Sequence, residues 1–312
     1  MNEDKKQNRM LTIMGFLLLF VMLAFVFLCY GVISFGEEKL LEQEKNLVDS
    51  SNKFNSNVSI IGADSQTGGS GEVIEEPLFE NGKQAFLYAF DLLKSYDRFS
   101  LKSSGMTTSS QVGFDKRVAN SMEFYKYSDT EYVRISNKYE MPSSISLGLS
   151  SGQFLYFSNG KVFENKTKMV SYKNGNIDAK FDYDFNEISM SIPSVFPYKI
   201  DIYSISSCRS YKVIKDAKGK ILQYDISIEL NTTTSVKEYS QIVKSEANAS
   251  ALPEFKNISI SCLLDRNGNF TTIKVSEDYS LKVGIITTSC HGELVYRYSD
   301  YNKKPNYIVS QI

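Results

Sequence analysis

Twenty-five consecutive residues, Leu11 to Phe35, carry no charge, and most are large and apolar. As a helix rising about 1.5 Å per residue the run is about 37 Å long, enough to cross a hydrocarbon core of about 30 Å with some tilt. It reads as an uncleaved transmembrane helix, residues 11–35, behind a tail, residues 1–10, that holds Lys5, Lys6 and Arg9. A cleaved secretory signal is the main alternative, since Ser34 and Gly36 are small residues at suitable positions, but signal cores usually run only about 7–15 residues. A lipoprotein signal ending at Cys29 would need a small residue where Leu28 stands. Cys29 is better read as an apolar residue of the helix, or as a palmitoylation site. Three basic residues precede the run and two, Lys39 and Lys45, follow it closely, so the bias places the tail in the cytoplasm and the rest outside the cell membrane. Translocation of the short tail would reverse that orientation.

The remaining chain is too polar to cross again. Residues 36–75 open with Leu40, Leu41, Leu47 and Val48 at heptad-like spacing, too few for a coiled coil, and pass into a Ser, Asn, Gly and Asp-rich tether. A single extracytoplasmic domain, residues 76–312, follows. The formal net charge of −1 offers no field for DNA or RNA, so nucleic acid is excluded as a partner. The absence of Trp beside abundant Lys, Asn, Ser and Ile fits a bacterial genome rich in AT. The sequons at Asn57, Asn165, Asn231, Asn248 and Asn257 mean little there.

Asn81 can cap a helix over 83–96 whose Phe86, Ala89, Phe90 and Leu93 form one apolar stripe. From Phe99 the period becomes two. Strands are predicted over 99–110, 121–136, 153–158, 161–172, 178–186, 199–214, 221–230, 256–265, 270–283 and 286–299. Turns join them at Ser158-Asn159-Gly160-Lys161, Asp216-Ala217-Lys218-Gly219 and Arg266-Asn267-Gly268-Asn269, the Asn-Gly pairs suiting a type I′ turn. Leu222, Tyr224, Ile226, Ile228 and Leu230 oppose Gln223, Asp225, Ser227 and Glu229; Ile273, Val275, Tyr279 and Leu281 oppose Thr272, Lys274, Ser276 and Asp278. One face of a long antiparallel sheet is therefore dry and the other wet. A second helix over 236–247, with Tyr239, Ile242 and Val243 apolar, can join the first on the dry face. The fold class is α+β: a transmembrane helix, then a long curved antiparallel sheet with two helices packed on one face.

The order helix, long strands, helix and closing meander, the last including ISISCLLDRNGNFTTIKVSEDYSLKV, resembles the curved half-barrel fold of LolA/LppX-like bacterial lipoproteins over roughly residues 80–300. The resemblance is one of architecture, without a diagnostic motif. It implies helices closed over the concave side of the sheet and an apolar cavity there for acyl chains or another lipophilic ligand. A transmembrane anchor in place of a lipidated cysteine argues against shuttling a ligand through the periplasm.

Chemistry is sparse. His291 is the only histidine, which excludes a two-histidine metal site, and its parity makes it an exposed sheet residue. Ser158 and Lys161 match an S-x-x-K pattern, but in a hairpin turn instead of at a helix start. Asp265, Asn267 and Asn269 imitate the opening of a calcium loop, with Gly268 and Ser276 in the wrong places for one. Asp178, Asp182 and Asp184 share a predicted strand face with Lys180, which reads as a solvated face. Pairing across the turns sets Cys262 opposite Ile273, Cys290 near Glu277 and Cys208 near Ser227. Cys262 and Cys290 then read as buried free thiols, with one bridge plus a free Cys208 left open. No catalytic, cofactor-binding or metal residue is expected, and no cofactor. The expected function is a membrane-anchored, non-enzymatic binding protein for a lipophilic ligand or an envelope partner. A structural or assembly subunit of an envelope complex is the alternative; an envelope hydrolase is the third reading.

Overall fold

A computed structural model describes residues 78–303 except 112–113, 143–147, 168, 183 and 191–194. The transmembrane helix, the tail and the tether read at 1–75 therefore lie outside the described residues. No helix among the described residues is long and apolar enough to cross a membrane.

The first helix, α1 (Gly82–Ser95), starts where the sequence places it: the Asn81 side chain accepts a hydrogen bond from the Gln84 N–H. Five strands follow, β1 (Phe99–Gln111), β2 (Phe114–Ser128), β3 (Glu131–Glu140), β4 (Ser150–Ser158) and β5 (Lys161–Thr167). Next come a small hairpin, β6 (Val170–Lys173) with β7 (Asn176–Ala179), and the short β8 (Asn186–Ile188). The second half holds β9 (Ile205–Lys215), β10 (Ile221–Leu230), α2 (Lys237–Glu246), β11 (Glu254–Asp265), β12 (Phe270–Val283) and β13 (Ile286–Ser299). Eleven strands form one antiparallel sheet in the order β8-β5-β4-β3-β2-β1-β13-β12-β11-β10-β9. The β1–β13 pair, Leu101 opposite Tyr298, stitches the two halves together.

The dry face is real and both helices lie on it. Tyr224, Ile226, Ile228, Ile258, Ile260, Leu264, Ile273 and Val275 are buried in one cluster with Phe86 and Phe90 of α1, and Tyr239 and Val243 of α2 pack against that cluster. Phe270 is the hub under α1, meeting Phe90 at 4.9 Å and Phe86 at 5.8 Å between ring centroids. On the opposite, outer face a smaller cluster of Tyr125, Tyr127, Val133 and Phe154 is capped by Phe181 and Phe185. Deleting an aromatic ring from a core of this kind costs about 3–5 kcal/mol.

Several predicted elements are corrected. Residues 121–136 are two strands, because Asp129-Thr130 makes a turn without the Gly or Asn-Gly signal. Residues 161–172 divide into β5 and β6 at Met169 and 178–186 into the end of β7 and the start of β8, while Asn174 and Gly175, whose φ of 52° and 81° suit a tight hairpin, turn β6 into β7. The strand predicted from 199 begins only at Ile205, since the Asp201 carboxylate accepts from the Tyr203 and Ser204 N–H groups and holds a turn there. Leu222 is 49% exposed while Ile221 is buried, because the β9–β10 register shifts between Ile221 and Gln223. Ile242 is also exposed, on the solvent side of α2. At 266–269 only Gly268 has positive φ (86°), and Asp265 accepts from the N–H groups of Asn267 and Asn269.

Candidate functional site

Because β8 and β9 are consecutive in sequence but occupy opposite edges of the sheet, the connection 189–204 has to cross it. We call this segment the strap. Its described part passes between the helices on the inner face. Phe196 stands 5.1 Å from Phe90 of α1 and 5.3 Å from Tyr296 of β13, and Tyr198 stands 5.2 Å from Tyr239 of α2. The Lys199 N–H donates to the Ser235 carbonyl at 2.8 Å.

Beneath the strap lies a buried carboxyl. Glu277 interrupts the apolar parity of β12, falling between Val275 and Tyr279 on the inner face, and is 1% exposed. Tyr198 donates to its Oε2, and Tyr239 donates to its Oε1 at 2.9 Å. One acid thus ties the strap and α2 to the sheet. Gly292 is its cross-strand partner, and a Cβ there would come within 2.9 Å of Oε1. Burial pushes the Glu277 carboxyl above its ordinary range, against the two hydroxyl bonds that lower it. Burial first, and the Glu277 charge second, hold both tyrosines well above theirs.

Farther along the same face, β3 presents Tyr132 and Arg134. The Nε of Arg134 and the hydroxyls of Tyr132 and of Tyr298 are buried and have no hydrogen-bond partner among the described residues. Burial lowers the Arg134 pKa, opposed chiefly by the Glu246 carboxylate. Two hollows are present elsewhere: one of about 570 Å³ beside Asp97, Arg98, Asp129 and Thr130, and one of about 250 Å³ beside Glu164, Asn165, Asp182 and Asp184. Both have polar linings, and neither is the apolar cavity that the resemblance implies. The inner face between the helices is occupied by the rings of Phe90, Phe196, Tyr198 and Tyr239.

The residues singled out in the sequence do not converge. His291 is on the outer face, its Nδ1 2.8 Å from Asp278 and its Nε2 3.6 Å from Glu293. Ser158 and Lys161 face each other across the β4–β5 hairpin, and Lys161 pairs with Glu187 at 3.1 Å. Asp178 lies in β7 while Asp182 and Asp184 lie outside any strand, so they share no strand face. No group of metal-ligating side chains forms among the described residues. Cys208, Cys262 and Cys290 are all free. Cys262 opposes Ile273 as read, but Cys290 faces Tyr279, because the β12–β13 turn closes over Gly284 and Ile285 alone. Cys208 faces Ile228, displaced by the register shift after Ser227. The sequon Asn165 is buried. The parity reading passed over Glu277, although one acid inside Ile273-Val275-Glu277-Tyr279-Leu281 was the available signal.

No family model matches the chain, and no curated protein matches it. Two solved structures are similar to it in part. The ywiB protein from Bacillus subtilis shares 8% identity at a TM-score of 0.19, over 67% of this chain and 97% of its own. A DUF1329 family protein from Desulfovibrio piger shares 7% at 0.23, over 73% and 93%. Scores of that size are too low to carry a fold or a function to this chain.

Proposed function

We propose that this chain is a non-enzymatic, single-pass cell-membrane protein whose extracytoplasmic domain binds a lipophilic ligand or an envelope partner at the inner face of its sheet. The anchor rests on the apolar run 11–35 and the basic tail before it. The observation that carries the binding half is the cover of that face. The strap and α2 are held by side-chain bonds to Glu277 and by ring packing instead of by sheet hydrogen bonds. Cover elements of that kind can lift without breaking the sheet. Against an enzyme stands the outer-face position of His291, whose two ring nitrogens are taken up by the carboxylates of Asp278 and Glu293.

The test is native mass spectrometry of the full chain released from mild detergent, followed by solvent extraction. A stoichiometric hydrophobic mass supports ligand binding; a clean apo mass from a monomer defeats it. An apo multimer would favour the assembly reading, which has its own support. Ile285 is 95% exposed at the β12–β13 tip beside Val283 and Ile286, and β9 offers an eleven-residue edge.

A further inference from the structure

The two ends of the sheet differ in charge. Where β1, β10 and β12 begin, the connections hold or adjoin charges: Asp129 after β2, Lys161 after the β4–β5 turn, Asp216, Lys218 and Lys220 between β9 and β10, and Asp265 with Arg266 before β12. At the other end the connections β1–β2, β3–β4, α2–β11 and β12–β13 contain no charged residue. Leu149, Leu252, Val283, Ile285 and Ile286 are exposed there. The β12–β13 hairpin stands out from that end. Glu254, the first residue of β11, opposes Ser280, and Ser110, one short of the end of β1, opposes Ser289, so residues 282–287 run past both neighbouring strands. Gly284, at a φ of 61°, meets the demand of the two-residue turn, which asks for no apolar residue after it. Yet Ile285 fills that place, 95% exposed, between Val283 and Ile286. The Ser250 N–H donates to the Lys282 carbonyl at 2.8 Å and its hydroxyl to the Gly284 carbonyl at 3.2 Å, fastening the α2–β11 loop, with its exposed Leu252, to the side of this finger.

We infer that the β12–β13 finger dips into a phospholipid bilayer, with Val283, Ile285, Ile286 and Leu252 at the boundary between headgroups and acyl chains. Chemistry and shape choose lipid over protein. Protein interfaces draw on Tyr, Trp and Arg and need about 1,000 Å² of matched surface, whereas this finger offers a few aliphatic side chains on a free-standing point. A bilayer demands no matched shape, accepts Ile, Leu and Val readily, and penalises charge, which is what these connections lack. Lys282, exposed at the base of the finger, carries the first charge back from the tip along β12, of the sign that phosphate headgroups favour. The inference rests on the anchor reading above and adds a second membrane contact to it. Leu78 lies at the charged end, where its N–H donates to the Tyr224 hydroxyl at 3.0 Å and Phe79 lies against Gly268. Residues 36–77 have the reach to bring the far end back to the membrane: fully extended they span about 140 Å, against about 43 Å for β12.

The test exploits the absence of Trp. Full chains carrying Ile285→Trp or, at the charged end, Asn267→Trp are reconstituted into phosphatidylcholine vesicles with or without brominated acyl chains, and flotation with the vesicles is checked first. Ile285→Trp should emit at shorter wavelength than Asn267→Trp and lose about half or more of its intensity to bromolipid, as an indole some 5–10 Å into the boundary would. Asn267→Trp should stay at long wavelength and unquenched. Adding Leu252→Ser and Ile286→Ser to Ile285→Trp should at least halve the quenching; quenching that survives them would show that the indole inserts by itself and would overturn the inference. A short-wavelength emission that bromolipid does not quench would put the tip against protein, a second copy included, and would also overturn it. So would equal quenching at both positions, or none at either. Chains that float but show no quenching at Ile285→Trp defeat the finger and leave the anchor standing, whereas chains that do not float defeat both.

Discussion

Glu277→Gln replaces the buried carboxyl with a group of the same shape that never ionises. In the folded parent, burial holds the Glu277 pKa above its ordinary 4.5. Below the unfolded value both states are protonated, and the group's contribution is fully present. As the pH rises the unfolded chain releases its proton first, so stability falls until the folded carboxyl ionises as well. Each unit of separation removes about 1.36 kcal/mol. The parent should therefore lose stability, relative to Glu277→Gln, from pH 4.5 upward through the folded pKa. The amide still accepts from one tyrosine, and the other hydroxyl can turn to accept from the amide nitrogen, so at pH 4.5 the two proteins should agree within about 1 kcal/mol. Glu277→Ala is a different perturbation. It leaves the hydroxyls of Tyr198 and Tyr239 unpaired, at about 1–3 kcal/mol each, and should destabilise by roughly 2–5 kcal/mol across the pH range. The assay is urea unfolding of the full chain in mild detergent from pH 4.5 to 8. Near-ultraviolet circular dichroism reports on tyrosine there, since the chain has no Trp. Parallel stability profiles for the parent and Glu277→Gln would refute the reasoning.

Phe90 touches Phe86, Phe196 and Phe270, so Phe90→Ala should lose about 3–5 kcal/mol in the same urea assay, loosening strap and helix together. Gly268→Ala should cost about 1–3 kcal/mol, because φ is 86° and the new methyl would meet a Tyr88 ring carbon at 2.9 Å. Burial raises the thiol pKa of Cys262 and of Cys290, so peptide mapping after alkylation of the folded protein should find Cys208 labelled and both others protected until urea is added. The hydrogen bond to Asp278 raises the His291 pKa, a contribution present below pH 6.5 and lost as the pH rises through the folded value. On so exposed a pair it should stay under about 1 kcal/mol, measured as the difference in pH profile between the parent and His291→Gln.

Local chemistry made much of the second half legible. The bounds of β10, β12 and β13 coincide with the period-two runs 221–230, 270–283 and 286–299, and Asn81 caps α1 as its side chain allows. Those features depend on neighbours within a few residues: alternation across a strand, a short side chain that reaches an N–H three residues on, an Asn-Gly pair that tolerates positive φ. The first half was less legible, because its strands turn at Asp129-Thr130 and divide at Met169, without a Gly at either place. The inner-face donors were not legible at all. Arg134 alternates with Val133 and Ile135 as a solvent-facing residue would, yet Val133 is the one on the outer face, packed with Phe154 beneath Phe181 and Phe185.

What the sequence determined by itself is the apolar run, the change from helical to strand period at Phe99, and the dry parity of the closing strands. Only the tertiary structure decided that β1 pairs with β13, that the strap crosses between the helices, and that Glu277 and Arg134 face inward. Each of these is a contact between residues far apart in the chain. Alternation says which side chains share a face, but which face is covered depends on strand order and bulges, and those are settled when the whole sheet closes on its cover.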